Sequence, residues 1–272
     1  MSLAAASAQA QATQDDWDIT ESPERRLFAA STTFSSGIAV ILRCVNGQFD
    51  AVITGLPAVE PGTEWRTVSL QFGEAPAGAT LWFVGTNPSS VISRLPAPLA
   101  RRFREGGVVK LRIEDPGQAG RRLRYDLELP ASAANIDRAL SACGRPTSDP
   151  RDALLQGVEN SGLPGDIVWD RAPEPRYPEG RTFDRGFVVT SCLTRQDGEL
   201  TDCIVESEYP LGGGFGEEAL RPAGRAKVRL DADPSAPVPT RMIIYSTNFR
   251  TMSAIEDARR GPETGTRIDR DR

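Results

Sequence analysis

The stretch GFVVTSCLTRQDGELTDCIVESEY, residues 186–209, decides the fold of the second half of this chain. Two runs rich in Val, Ile, Thr and Ser flank Asp197-Gly198, a dipeptide that accepts the positive φ angles of a tight hairpin turn. With the loop centred on Asp197-Gly198, paired residues have numbers that sum to 395, and Cys192 and Cys203 satisfy that sum. A four-residue loop over 196–199 makes them a non-hydrogen-bonded pair with α-carbons about 4.5 Å apart, inside the range of a disulfide. Val188 and Val205 share that strand face, so a bridge there lies on or beside the core face and pins the register against a one-residue slip.

Motifs on either side extend the pattern. Pro175-Arg176-Tyr177-Pro178 precedes Gly186-Phe187-Val188-Val189; Gln196-Asp197-Gly198-Glu199-Leu200 follows, then Asp202, Val205 and Ser207, then Phe215 with Ala219-Leu220. In this order and spacing, over residues 172–250, the chain resembles the C-terminal domain of TonB. The resemblance implies a Pro-x-Tyr-Pro lead-in, a hairpin with an Asp-Gly turn, a helix, and a last strand at 241–250 completing a small three-stranded antiparallel sheet. The sequence departs from the family at three places. Residues 179–185 are short and polar where the family has a longer helix; Pro222 and Gly224 interrupt the second helix; Val228-Arg229-Leu230 and a proline-rich loop replace the usual Phe-x-Pro. A working TonB also needs a membrane anchor and a long proline-rich span, and these residues carry neither. The departures count against receptor binding of the ordinary kind.

The first half alternates short apolar runs with turn signals, as an antiparallel sandwich or barrel-like sheet does. Residues 37–45 and 48–54 read as a hairpin around Asn46-Gly47. Further strands are expected at 67–72, 80–84, 108–114 and 123–129. Helices are expected at 97–104 and 131–143, the second bearing Ile136 and Leu140 at helical spacing, stopping at Gly144, and carrying Cys143 back toward Cys44. The fold class is α+β: a β-rich, sandwich-like N-terminal domain and a small C-terminal domain with a three-stranded antiparallel sheet and helix. The expected boundaries are 1–12 for a signal-peptide remnant, 13–146 for the first domain, 147–171 for a linker, 172–252 for the second domain and 253–272 for a disordered tail.

The 272 residues hold 37 acidic and 32 basic side chains, a net charge of −5, so no broad basic surface exists for nucleic acid. There is no histidine, which removes the usual general base of a hydrolytic triad and the commonest nitrogen ligand for metals. No cofactor, metal or catalytic residue is expected. The patterns Ala8-Gln9-Ala10 and Ala10-Gln11-Ala12 read as the end of a secretory signal, and no apolar run is long enough to span a bilayer. The four cysteines of an exported, periplasmic chain then favour two disulfides, with pairing inside each half giving Cys44–Cys143 and Cys192–Cys203. Free buried thiols are the alternative. The arginine groups 101, 102, 104 and 121, 122, 124 read as solvated faces, and Gly212-Gly213-Gly214 as a flexible turn before a helix.

These features point to a non-catalytic envelope adaptor. Its partner would be an envelope protein or cell-wall polymer, or a second copy of the chain, contacted along the edge strand 241–250 through Arg241, Ile243, Ile244, Tyr245, Thr247 and Phe249. Proline at Ile244 should remove a donor from a free edge without unfolding the domain. The competing readings are a carboxylate-dependent enzyme acting on glycan, with Asp166, Asp170, Asp184, Glu217 and Glu218 as candidates, and an inhibitor presenting a rigid loop, for which Pro210 to Gly214 is too glycine-rich.

Overall fold

The computed structural model describes residues 15–155, 163–180 and 183–251. The expected signal remnant and tail lie outside these residues, as does part of the expected linker. The chain divides into two compact units, Met1–Asp149 and Pro150–Arg272.

In the first unit the strands are β1 (Asp18–Ser22), β2 (Leu27–Thr33), β3 (Ala39–Val45), β4 (Gln48–Thr54), β5 (Trp65–Phe72), β6 (Gly78–Val84), β7 (Val91–Ile92), β8 (Val108–Glu114) and β9 (Arg122–Glu128). Helix α1 (Pro96–Phe103) precedes β8 and α2 (Ala134–Ala142) follows β9. All nine strands form one antiparallel sheet in the order β1-β2-β3-β4-β7-β6-β5-β8-β9. Asn46 and Gly47 take φ of 52° and 81°, the positive angles the turn between β3 and β4 requires.

The sandwich-like expectation is corrected here. Instead of two sheets there is one continuous sheet, and its apolar residues share with α1 and α2 a single core that includes Val40, Leu42, Val68, Leu111, Leu127, Phe103, Ile136 and Leu140. Within it α1 packs against β4 and α2 against β2 and β3. The Cys44–Cys143 disulfide ties β3 to the end of α2, with α-carbons 5.4 Å apart. On β4, Asp50 is buried and takes two hydrogen bonds from Arg43, at 2.8 and 2.9 Å; burial pushes its carboxyl up against the opposing pull of the guanidinium.

The α1 arginines are more than a solvated face. The Arg101 guanidinium, 9% exposed, donates to the Pro146 carbonyl at 3.1 Å; Arg104 donates to the Thr147 carbonyl at 2.9 Å and binds the Asp137 carboxylate; Arg102 covers the Phe72 ring at 4.3 Å. Arg101 and Arg104 thereby hold the 145–149 segment on the helix, satisfying backbone carbonyls that a free linker would leave to water.

The second unit holds β10 (Ile167–Arg171), β11 (Arg185–Thr194), β12 (Leu200–Tyr209), α3 (Phe215–Leu220), β13 (Lys227–Leu230) and β14 (Met242–Arg250). A three-stranded antiparallel sheet runs β12-β11-β14, and β10 pairs with β13 in a second, two-stranded sheet. The expected linker is therefore corrected: Pro150–Leu155 forms a 3-10 turn, and 167–171 is strand β10. Ile167 and Trp169 share one face of β10 and pack into the disulfide core. No helix occupies the described residues of 172–184, and α3 stops at Leu220, before Pro222 and a 3-10 turn at Ala223–Arg225.

Candidate functional site

The hairpin β11–β12 closes on a shorter loop than the one expected. Thr194 pairs with Leu200, and Gly198 donates to the Arg195 carbonyl, so the pairing starts with numbers that sum to 394. Asp202, at φ 49°, then bulges out of β12 and shifts the register by one, so that Ser191 meets Ile204 and Cys192 faces Cys203. The disulfide forms with α-carbons 4.1 Å apart, and Cys192 is wholly buried. A second irregularity, between Val189 and Thr190, turns Glu206 inward. There its carboxylate accepts a 2.6 Å hydrogen bond from the Ser191 hydroxyl, which in turn accepts one at 2.7 Å from Arg151. Glu208, also buried, accepts the Phe215 backbone N–H at 3.0 Å. Sequence reasoning missed both carboxylates because a bulge breaks the two-residue alternation on which it relies; the only signal was the charge in Glu206-Ser207-Glu208, between strand residues.

One face of the three-stranded sheet carries two apolar clusters. Near the hairpin tip, Cys192, Leu200, Ile243 and Tyr245 pack with Ile167, Val228 and Val238, and the Trp169 ring meets Tyr245 edge-on at 5.6 Å. Burial pushes the Tyr245 hydroxyl above its ordinary range, with the Thr190 hydroxyl across the strand pair opposing it. At the other end, Phe215 lies among Tyr177, Phe183 and Phe249, at ring distances of 5.6, 6.4 and 5.0 Å. The Pro-x-Tyr-Pro lead-in thus delivers Tyr177 to an aromatic cluster, where its hydroxyl donates to the Phe183 carbonyl. Burial, and secondarily the Asp184 charge, raises the Tyr177 hydroxyl. The glycines beside this cluster are packing residues rather than flexible spacers: a Cβ on Gly186 or Gly213 would come within 2.4 Å of the Phe215 ring.

Strand β14 occupies a sheet edge, paired only with β11 among the described strands. Thr251 donates to the Asp184 carbonyl and Thr194 donates to the Arg241 carbonyl, so the odd-numbered residues direct their backbone groups at β11 and its extensions. In an antiparallel ladder the even-numbered ones, Ile244 and Asn248 included, then direct theirs away from the sheet. The side-chain rows divide differently. Ile243, Tyr245 and Phe249 are buried in the two apolar clusters, and Thr247 is half-buried. In the other row Met242 and Ile244 are buried but Ser246, Asn248 and Arg250 are exposed. Arg241 is exposed and meets the Asp166 carboxylate at 3.1 Å. The strand is thus covered on both faces at its start and on one face at its end. Proline at Ile244, 4% exposed, would disturb packing as well as the edge, so Asn248 is the cleaner place to remove an outward N–H.

The carboxylates considered for glycan chemistry lie on several elements. Asp166 pairs with Arg241, Glu218 pairs with Arg221 at 2.9 Å on α3, Glu217 is its neighbour on that helix, Asp184 precedes β11, and Asp170 sits on β10. Among the described residues no group of three or more His, Cys, Asp or Glu side chains could hold a metal ion, and no helix is long and apolar enough to cross a membrane. The two disulfides fit maturation in an oxidising compartment.

No family model and no curated protein matches this chain. Among solved structures it is similar to the solution NMR structure of the Pseudomonas aeruginosa TonB C-terminal domain, at 20% identity over 32% of this chain and 89% of that one, with a TM-score of 0.28.

Proposed function

We propose that this chain is a periplasmic, non-catalytic adaptor of the cell envelope that holds its partner by strand addition at β14. The partner is an envelope protein or cell-wall-associated polymer, and a second copy of the chain can use the same edge. The observation that carries this reading is the outward direction of the Ile244 and Asn248 backbone groups on an edge strand whose last residues expose one side-chain row. An added strand gains main-chain hydrogen bonds there without specialised side chains. The opposite row is anchored in the aromatic and disulfide clusters, so the edge is held in extended form before a partner arrives and little ordering entropy is left to offset.

The test compares Asn248→Pro with Asn248→Ala in the full chain, reading self-association by sedimentation and partner capture from periplasmic extract. The proline variant is expected to lose both while keeping its circular dichroism, and the alanine variant to keep both. Retention of binding by a folded proline variant would refute the edge as the contact.

A further inference from the structure

Strand β9 ends the first-unit sheet and pairs only with β8 among the described strands. Leu129 donates to the Gly107 carbonyl at one end of the β8–β9 ladder and Asp115 donates to the Arg121 carbonyl at the other, both at 2.9 Å. The odd-numbered residues of β9 therefore turn their backbone groups toward β8, and Arg122, Arg124, Asp126 and Glu128 turn theirs away from the sheet. The side chains of these four are exposed, whereas Leu123, Tyr125 and Leu127 pack on the core and hold the strand in place.

Charged side chains on an edge ordinarily discourage an added strand. Here the order of the charges reverses that effect for one occupant, a second copy of the chain. Along β9 the outward residues run Arg, Arg, Asp, Glu at a spacing of two, so the same row turned end for end runs acid, acid, base, base. An antiparallel copy has to set outward residues opposite outward residues, which means even numbers opposite even numbers. In the register whose paired numbers sum to 250, Arg122 meets Glu128 of the second copy, Arg124 meets its Asp126, and symmetry supplies the reverse two pairs. A slip of two residues either way sets Arg124 against Arg124 or Asp126 against Asp126.

The four charges are also uncommitted within the chain. None of them makes an ion pair among the described residues. Asp126 is in register with Lys110 and Arg122 with Glu114, without closing on them; Arg124 is in register with Arg112, a like charge that is held by Gln71 at 3.1 Å.

We infer that two copies of this chain join β9 to β9 about a two-fold axis at Tyr125, continuing the first-unit sheet from one copy into the other. Each outward residue gains main-chain hydrogen bonds on its free side, the opposite charges meet across the seam, and Tyr125 lies against its own copy as a non-hydrogen-bonded aromatic pair. The contact belongs to the first unit and does not rest on the β14 reading.

Charge reversal in the full chain tests it, with dimerisation read by sedimentation at about 20 mM salt, where the Debye length is long. Arg124→Asp sets acid against acid at both symmetry-related positions, and Asp126→Arg sets base against base; each alone is expected to weaken dimerisation by about tenfold or more. In a mixture of the two variants the changed residues meet as acid and base, and so do the unchanged ones, so a mixed dimer is expected to form as tightly as the unaltered one. Hydrogen exchange gives a second reading on the unaltered chain: the Arg124 and Asp126 amides are expected to become protected as protein concentration rises. Single variants that dimerise like the unaltered chain, a mixture that stays apart, or amides that stay unprotected would overturn the inference. A contact through β14 enters every sample alike, and the β14 comparison is itself read at about 0.5 M salt, where exposed ion pairs are screened.

Discussion

Gly186 faces the Phe215 ring so closely that the two positions should be energetically inseparable. An ideal Cβ at Gly186 would stand 2.4, 2.4 and 2.5 Å from three ring carbons, where carbon contacts are comfortable at about 3.5–4.0 Å. Relief requires a displacement of about 1 Å, and neither side can give it. Gly186 belongs to the central strand of its sheet, paired with Phe249 on β14, and the ring is enclosed by Tyr177, Phe183 and Phe249 and wholly buried. Gly186→Ala should therefore cost about 1–3 kcal/mol as an overpacked site, and Phe215→Ala about 3–5 kcal/mol as a cavity. With the ring gone the obstruction goes too. In the Phe215→Ala background Gly186→Ala should be neutral or stabilise by about 0.4–1 kcal/mol through the unfolded chain, because its φ is not left-handed. The double-mutant cycle should show a coupling of about 1–3 kcal/mol. Denaturant titration by circular dichroism measures the four stabilities, and hydrogen exchange of peptides from β11 and β14 localises the loss. Equal cost of Gly186→Ala in both backgrounds would refute the argument.

Other consequences can be checked directly. Nonreducing peptide mapping should recover Cys44–Cys143 and Cys192–Cys203; with sequence separations of 99 and 11, loop entropy assigns about 4.7 and about 2.8 kcal/mol to them, so thermal unfolding should suffer more from loss of the first. Tyr177 and Tyr245 should ionise above the ordinary tyrosine range in a spectrophotometric alkaline titration. Their raised folded-state values mean that the native state holds protons the unfolded state has released, so the stability they contribute is present below about pH 10 and is lost as pH rises through the folded values. Gly198→Ala forces a side chain into φ 82° and against the Val228 carbonyl, and should destabilise the second unit by more than about 1 kcal/mol in denaturant titration. A fragment spanning 150–251 should fold by itself, with the dispersion of its amide spectrum unchanged from the full chain; an unfolded fragment would show that the units are one cooperative body.

Local signals were enough for the hairpins and the cysteines. Asn46-Gly47 and Asp197-Gly198 specify turns through backbone angles that few other residues accept, and each turn brings defined neighbours together. That Cys192 and Cys203 lie on the two strands flanking the second turn, and that a helical period ends at Cys143, is likewise legible in the residue order alone. So is the interruption of α3 by Pro222, since a missing N–H is a property of the residue itself.

What only the tertiary structure decided involves partners distant in the chain. The first-unit strands join into one sheet whose apolar residues share a core with two helices, and strand patterns alone do not say whether a helix or another sheet will cover them. Strand β10 and its partner β13 are individually short and partly polar, and they acquire strand form by pairing across more than fifty residues. The bulges that bury Glu206 and restore the Cys192–Cys203 register leave no mark in composition. Nothing in the residue order marks Gly213 as the glycine against which the Phe215 ring packs. A residue's own conformational limits are written locally, whereas the energy of a buried contact belongs to a pair, and which pairs form is settled only when the chain closes on itself.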